Sequence, residues 1–345
     1  MSVRNPHAYT QLPRSFLTRK SGGRTPYELL SHSGSAYAPL SAPKRMGVVL
    51  SLLAHLRSST LHAIKGYTPQ GNPAPHIWHK VLKFYPSQTG RLIVIGDVHG
   101  CAVELAELLV KVRYDQGRDK LVFVGDLVNK GPNSPQVVQI AMRTGACVVR
   151  GNHDDKALAA YRKGHLPRKS FQDLPSSEQW VEALKPDEAA FLAELPFTYA
   201  IPSHGLLVVH AGMIPNKPKL LQDWLDIYMM RNIDTAPAAS QSEEQQDNTQ
   251  YTSCPLNRGV PWASKWTGPD HIIFGHDAKR KLQQYQYATG LDTGCVYGGS
   301  LTACVMPIVL QTPYDENTAP VAPTLADLGA QLVSVPARQK YVATK

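Results

Sequence analysis

The sequence predicts an α/β protein, and three observations carry that expectation. From Arg91 onward, short apolar runs alternate with segments of helical period. Each early run ends in a polar or Gly-rich turn, as buried strands do. The helical segments lie between the first runs, a spacing that suits a largely parallel sheet with helices on both faces. Later runs have fewer helices between them, which points to a second, more antiparallel sheet.

In chain order, Leu92 to Ile95 reads as a buried strand, Val103 to Val112 as a helix and Leu121 to Val124 as a strand. Ser134 to Arg143 and Asp154 to Arg162 read as helices on either side of a strand at Cys147 to Val149. Between Pro167 and Pro196, two helix-like pieces, Ser177 to Leu184 and Asp187 to Leu195, break at Pro186 and suggest a helical cap inserted at about 164–196. Leu206 to Val209, Ile272 to Phe274, Tyr285 to Tyr287 and Leu301 to Leu310 supply the later strands. Ile233 to Arg258 is polar and contains SQSEEQQDNTQ, so it reads as a mobile loop. After Thr312 the chain is Pro- and Ala-rich, with one last strand expected at Gln331 to Val335.

Charge divides the chain. The net charge is +9, but residues 1–90 hold eleven basic side chains and one acid, Glu28, while residues 91–345 hold 25 basic and 26 acidic. The leader therefore carries +10 and the rest −1, so the basic character offers little to nucleic acid. No helix-turn-helix or RNA-binding signature occurs, and sequence-specific nucleic-acid binding is not expected. Residues 1–85 read either as a disordered extension with a short helix at Met46 to Ile64, or as a mitochondrial address. The catalytic part is expected at 86–312, followed by a tail at 313–345. No apolar run is long enough for a transmembrane segment, since Met46 to Leu56 is too short and contains His55. Five cysteines without a C-x-x-C pair read as reduced thiols of a cytoplasmic or other intracellular protein. The oligomeric state is not legible.

The chemistry lies where the strands end. Gly96-Asp97-Val98-His99-Gly100, Gly125-Asp126, Gly151-Asn152-His153-Asp154, His210-Ala211-Gly212 and Gly275-His276-Asp277 each follow an apolar run. Ligands of α/β sheets bind beyond the carboxyl ends of the strands, so these five clusters should converge. Carboxylate, imidazole and amide donors without thiolate suit two divalent ions such as Mn, Zn, Co or Fe. Such a pair clamps the attacking and leaving oxygens of a phosphoryl group, which points to hydrolysis of a phosphate ester or anhydride.

The ordered series GDVHG, GDLVNKGPNS, GNHDD, HAG and FGHD resembles the calcineurin-like metallophosphoesterases of the phosphoprotein phosphatase superfamily. GDVHGC at 96–101, GDLVNKGP at 125–132 and LDTGCVYGGSLTA at 291–303 are similar to the ApaH-like phosphatase group. The resemblance implies a two-sheet β-sandwich flanked by helices (α/β/β/α) with a helical cap. It also implies that Asp97 and His99 hold a first metal, that Asp126 bridges, and that Asn152, His210 and His276 hold a second. His153 would then protonate the leaving oxygen. Protein phosphatases carry GDxVDRG where this chain has Asn129 and Lys130. An amide at 129 cannot stabilise an imidazolium by charge. Lys130 grips phosphate as a point charge. Together with Arg231, Arg258 and Lys279, Lys130 is a candidate for substrate binding. The implied substrate is a phosphorylated small molecule or polyphosphate: a dinucleoside polyphosphate, inorganic polyphosphate or an RNA cap. The alternative activity is Ser/Thr protein dephosphorylation.

Overall fold

The computed structural model describes residues 66–83, 90–235, 250–307 and 322–343. The helix expected at Met46 to Ile64 and the address reading of the leader lie outside these residues. Strands are β1 His79–Val81, β2 Leu92–Ile95, β3 Lys120–Phe123, β4 Cys147–Val148, β5 Thr198–Ile201, β6 Leu206–Val209 and β7 Asn232–Thr235. They continue as β8 Tyr251–Cys254, β9 Val260–Pro261, β10 His271–Phe274, β11 Gln283–Tyr285, β12 Ala288–Gly290, β13 Ser300–Met306 and β14 Gln331–Pro336. Helices are α1 Ala102–Lys111, α2 Ser134–Arg143, α3 Asn152–Gly164, α4 Pro186–Ala193 and α5 Trp224–Met229.

One sheet runs β14-β13-β2-β3-β4, with β2, β3 and β4 parallel and β13 antiparallel to both β2 and β14. The other runs β1-β5-β6-β10-β12-β11 and mixes parallel with antiparallel pairs. Their apolar runs look continuous in sequence, but side chains alternate between two faces. Ile93, Ile95, Leu121 and Phe123 pack with Leu105, Leu108, Val137 and Leu158 of α1 to α3. Leu92, Val94 and Val122 face the other way, onto Leu206, Val208 and Ile273 of the second sheet. Leu207, Val209, Ile272 and Phe274 then bury an outer layer of Met213, Ile227, Trp262 and Trp266. The arrangement is the α/β/β/α sandwich. Helices cover one face of the first sheet, not both as alternation alone suggests, because a strand buried on both faces reads the same whether a helix or a sheet covers it.

Four local expectations need correction. The extension drawn at 1–85 is too long: β1 pairs with β5, and Asn72 Nδ2 donates to Asp155 O at 2.7 Å, so residues 66–83 belong to the packed body. A three-residue strand leaves too little pattern to detect. The segment read as a loop at 233–258 begins and ends in strands, since β7 pairs with β8 and β9 in a small separate sheet. Tyr285 to Tyr287 straddles a turn, with β11 before it and β12 after it. In the region read as a cap, Gln179–Ala183 is a 3-10 turn and Pro186–Ala193 the one α-helix.

Buried His271 fixes the start of β10: its Nδ1 donates to Pro323 O at 3.0 Å and its Nε2 lies 3.0 Å from Thr289 Oγ1. Burial pushes its pKa down to about 4, against the opposing pull of the Pro323 carbonyl. Between about pH 6.5 and 4 the unfolded chain therefore binds a proton that the folded chain refuses, and stability falls as pH falls. Urea unfolding across that range should show His271→Gln losing a slope worth on the order of 1 to 3 kcal/mol relative to wild type.

Candidate metal centre and active site

The loops that follow β2, β3, β4, β6 and β10 meet at one end of the two sheets and are tied together through backbone. Val98 N and His99 N donate to Asp126 O at 3.2 and 2.8 Å, and Gly275 N donates to His210 O at 2.8 Å. The buried Asp154 carboxylate accepts from Asp126 N, Leu127 N and Gly151 N, each at 2.9 Å. It thereby braces two of the loops rather than simply capping α3. Helix α3 begins at Asn152, two residues earlier than the sequence suggests, so Asn152 and His153 sit in its first turn. His153 N donates to Asp126 Oδ1 at 2.9 Å, an arrangement favoured by the positive end of a helix. Close approach requires glycine at two points. A Cβ on Gly151 would lie 2.1 Å from Asp126 Oδ1, and one on Gly275 would lie 1.9 Å from Asp97 Oδ1. His99, Asp126, Asn129, Lys130 and His276 all adopt positive φ, a conformation that side-chain-bearing residues keep only where surroundings impose it.

Asp126 stands between two imidazole sets. Its Oδ2 lies 3.4 Å from His99 Nε2, and its Oδ1 lies 3.5 Å from His210 Nε2. Asn152 Oδ1 is 3.1 Å from His210 Nε2 and 3.0 Å from His276 Nδ1. His99 Nδ1 and His210 Nδ1 lie 3.1 and 2.8 Å from the carbonyls of Val128 and Val124. Donation to those carbonyls places the proton on Nδ1 and leaves the Nε2 lone pair facing Asp126. His276 is turned the other way, with Nε2 3.0 Å from Met229 O. Its backbone N donates to both Asp97 oxygens, at 3.2 and 3.1 Å.

Electrostatics favour a cation here. Burial, then the Asp292 and Asp126 carboxylates, push Asp97 well above the usual carboxylate range. Burial also lowers His99, His210 and His276, so the imidazoles are neutral donors. Burial opposes ionisation of Asp126 as well, but its interactions with the surrounding imidazoles and Lys130 outweigh burial and lower it below the usual carboxylate range; with the imidazoles neutral, Lys130 is the full positive charge of that set. The Lys130 ammonium lies 2.9 Å from His99 Nε2, a positive charge drawn into the carboxylate cluster. Asp97, Asp126 and His210 bring one donor atom each within 4.8 Å of one another and could hold a metal ion. The donor set thus fits divalent ions.

A cavity of about 1070 Å³ opens over this cluster, lined by His99, Asp126, Lys130, His153, Arg231 and Lys279 among others. Arg231 Nη2 donates to His276 O at 2.9 Å. Arg258 is not on the wall. It pairs with Asp234 at 3.1 Å on the exposed side of the small sheet, so its place among the substrate-binding candidates is corrected. Asn129 Nδ2 donates to His153 O at 2.7 Å, and Asn129 Oδ1 accepts from Trp180 Nε1 at 2.9 Å. The amide thus touches the backbone of His153 and not its ring. His153 Nδ1 is buried without a hydrogen-bond partner, and burial, partly opposed by Asp126, brings the ring down to about 4.

Residues 90–280 match the family model for calcineurin-like phosphoesterases. The chain belongs to that family. As a metallophosphoesterase it is a hydrolase acting on phosphoric ester or anhydride bonds. It is 28% identical over 272 residues to an asymmetrical bis(5'-nucleosyl)-tetraphosphatase PrpE of Halalkalibacterium halodurans, covering 73% of this chain and 96% of the relative. It is 30% identical over 265 residues to a symmetrical bis(5'-nucleosyl)-tetraphosphatase of Coxiella burnetii, covering 64% of this chain and 88% of the relative. A crystal structure assigned as a diadenosine tetraphosphatase is 37% identical and superposes with a TM-score of 0.57, covering 76% of this chain and 98% of that one. Among the described residues, no helix is long and apolar enough to cross a membrane.

Several residues of this metallophosphoesterase site escaped the sequence reading. Asp292, within the LDTG motif, is buried on the cavity wall, and burial raises it to about 6 despite the Gly294 N–H and Lys130. The short strand before it, Ala288–Gly290, carries no apolar run, so its one signal is its place in the LDTG motif. Trp180 and Tyr297 also line the cavity, the latter with Lys130 5.3 Å over its ring. Nothing in local pattern marks Trp180, whereas Tyr297 falls within the LDTGCVYGGSLTA motif without a chemical signal of its own. Buried Arg150 lies 3.4 Å from buried Asp155, joining the end of β4 to α3. For Asp154→Asn, which turns part of an acceptor into a donor facing three N–H groups, metal affinity measured by titration should fall about 10- to 100-fold with far-UV circular dichroism unchanged.

Proposed function

We propose that this protein hydrolyses a phosphoanhydride in an extended polyphosphate, using two divalent ions held on either side of Asp126. The observation that carries the reading is the placement of Asp126, one oxygen toward His99 and the other toward the His210, Asn152 and His276 set. Asp97 and His99 would form one ligand set and Asn152, His210 and His276 the other. The ions, when bound, would supply positive charge to the phosphoryl oxygens and acidify the attacking water.

The chain's own residues do the rest. Lys130, Arg231 and Lys279 place positive charge on the cavity wall, where phosphate oxygens outside the reacting bond would lie. His153 faces the cavity with its ring edge-on to His99, the rings 5.0 Å apart. No carboxylate charges its imidazole through Nδ1, because the residue that could reach it is Asn129, engaged with Trp180 and the His153 carbonyl. A weakly supported acid suffices for a leaving group that needs little protonation, such as a phosphate, and serves an alkoxide poorly. The tetraphosphatase names of the relatives point to the same bond type.

Two tests follow. Purified protein loaded in turn with Mn, Co, Zn and Mg should cut diadenosine tetraphosphate or inorganic polyphosphate well ahead of a phosphopeptide or alkyl phosphate; faster phosphopeptide turnover would give the protein-phosphatase alternative instead. Asn129→Asp should raise the rate on an alkyl phosphate relative to that on the phosphoanhydride by about tenfold, within the 10²- to 10⁴-fold span of general-acid effects. Equal effects on both substrates would remove the leaving-group argument.

A further inference from the structure

We propose that Lys340, carried on a C-terminal strap outside the family-matched region, grips the part of a polyphosphate chain that lies beyond the reacting bond. The proposal deepens the phosphoanhydride reading and rests on it for the identity of the substrate. After β14 the chain turns back over the loop between Asp292 and Ser300. Ala337 N donates to Gly299 O at 2.8 Å, Tyr341 N donates to Val296 O at 3.0 Å, and Tyr297 and Lys340 face each other as an antiparallel bridge pair. The register of Lys340 is therefore set by backbone and not left to a free terminus.

A buried carboxylate holds the strap down. Glu104 of α1 is fully buried, and its Oε1 accepts both Arg338 N at 2.9 Å and Tyr341 Oη at 2.8 Å, on either side of Lys340. Helix α1 follows directly on the GDVHG loop that carries Asp97 and His99. The strap is thus anchored to the helix that follows the loop expected to hold metal. Gly298, at φ +86, lets the strap approach, since a Cβ at that position would lie 3.3 Å from that of Lys340.

Lys340, Val342 and Ala343 line the same cavity as Asp126, Lys130 and His153. Half of the cationic groups around that cavity are engaged: Lys130 with His99, Arg231 with the His276 carbonyl, Lys156 with Glu178 at 2.9 Å. Among the described residues, Lys279, Lys281 and Lys340 make no ion pair or hydrogen bond through their side chains, so their ammonium groups are available to an anion. A cavity of about 1070 Å³ exceeds what a single phosphoryl group fills, and the cations on its wall are spread over separate elements. An extended anion reaches Lys340; orthophosphate held at the metals has no need of it.

The test uses the full chain loaded with manganese, with tripolyphosphate and orthophosphate as competing inhibitors of a chromogenic aryl phosphate. In Lys340→Ala the inhibition constant of tripolyphosphate should rise about tenfold more than that of orthophosphate, and Lys340→Arg should restore most of the difference. Equal shifts for both anions would mean that the strap only shapes the site, and no shift for either would mean that Lys340 touches no ligand; either result overturns the proposal. Because inhibition reads binding, a wild type that binds tripolyphosphate through Lys340 but cleaves no phosphoanhydride would sink the proposed function and leave this inference standing.

Discussion

The Asp126 carboxylate is buried at the end of β3 with an imidazole on either side, and it cannot remain ionised there without positive charge nearby. Burying an isolated carboxylate is costly, and Asp97 and Asp292 beside it make the excess of negative charge worse. Lys130 and the N-terminal turn of α3 offset part of this, through an ammonium at His99 and an N–H at Asp126. Divalent ions bound between the two imidazole sets would offset the rest. On this view the site is built around a charge imbalance, and the donors are arranged so that only a cation resolves it well.

The fold serves that arrangement. Two sheets buried on both faces bring five strand ends to one edge, and the rigid core behind them fixes where each loop starts. Asp154 then ties the loops to one another, so that strain at His99, Asp126 and His276 is held in place by a network rather than by any one bond. Strained backbone concentrated at candidate ligands, with unstrained strands behind them, is the pattern expected where geometry has been set by chemistry.

Much of this was legible in the sequence, because strand-end clusters such as GDVHG and GNHDD combine a hydrophobic signal with a chemical one. The two-layer architecture was less so: alternation of strands and helices does not say what covers the second face. Arg258 illustrates a different limit, since a basic residue near the site in sequence paired instead with Asp234 on an outer sheet. Trp180 and Lys340 reach the cavity from segments with no motif of their own, placed by tertiary packing alone. Asn129 was visible as a departure from a pattern, but its partners were not: the amide meets the His153 carbonyl and Trp180, where a pairing with the imidazole was the simple expectation. The edge strand β1 was invisible because three residues carry no period.

The most direct test of the central claim is the metal stoichiometry of the chain. Protein stripped with chelator and titrated with Mn²⁺ by calorimetry, with bound metal counted by elemental analysis, should take up two ions per chain. Asp126→Asn should lose both or bind them far more weakly while remaining folded. Retention of two tightly held ions in Asp126→Asn, or uptake of none by the wild type, would contradict the account.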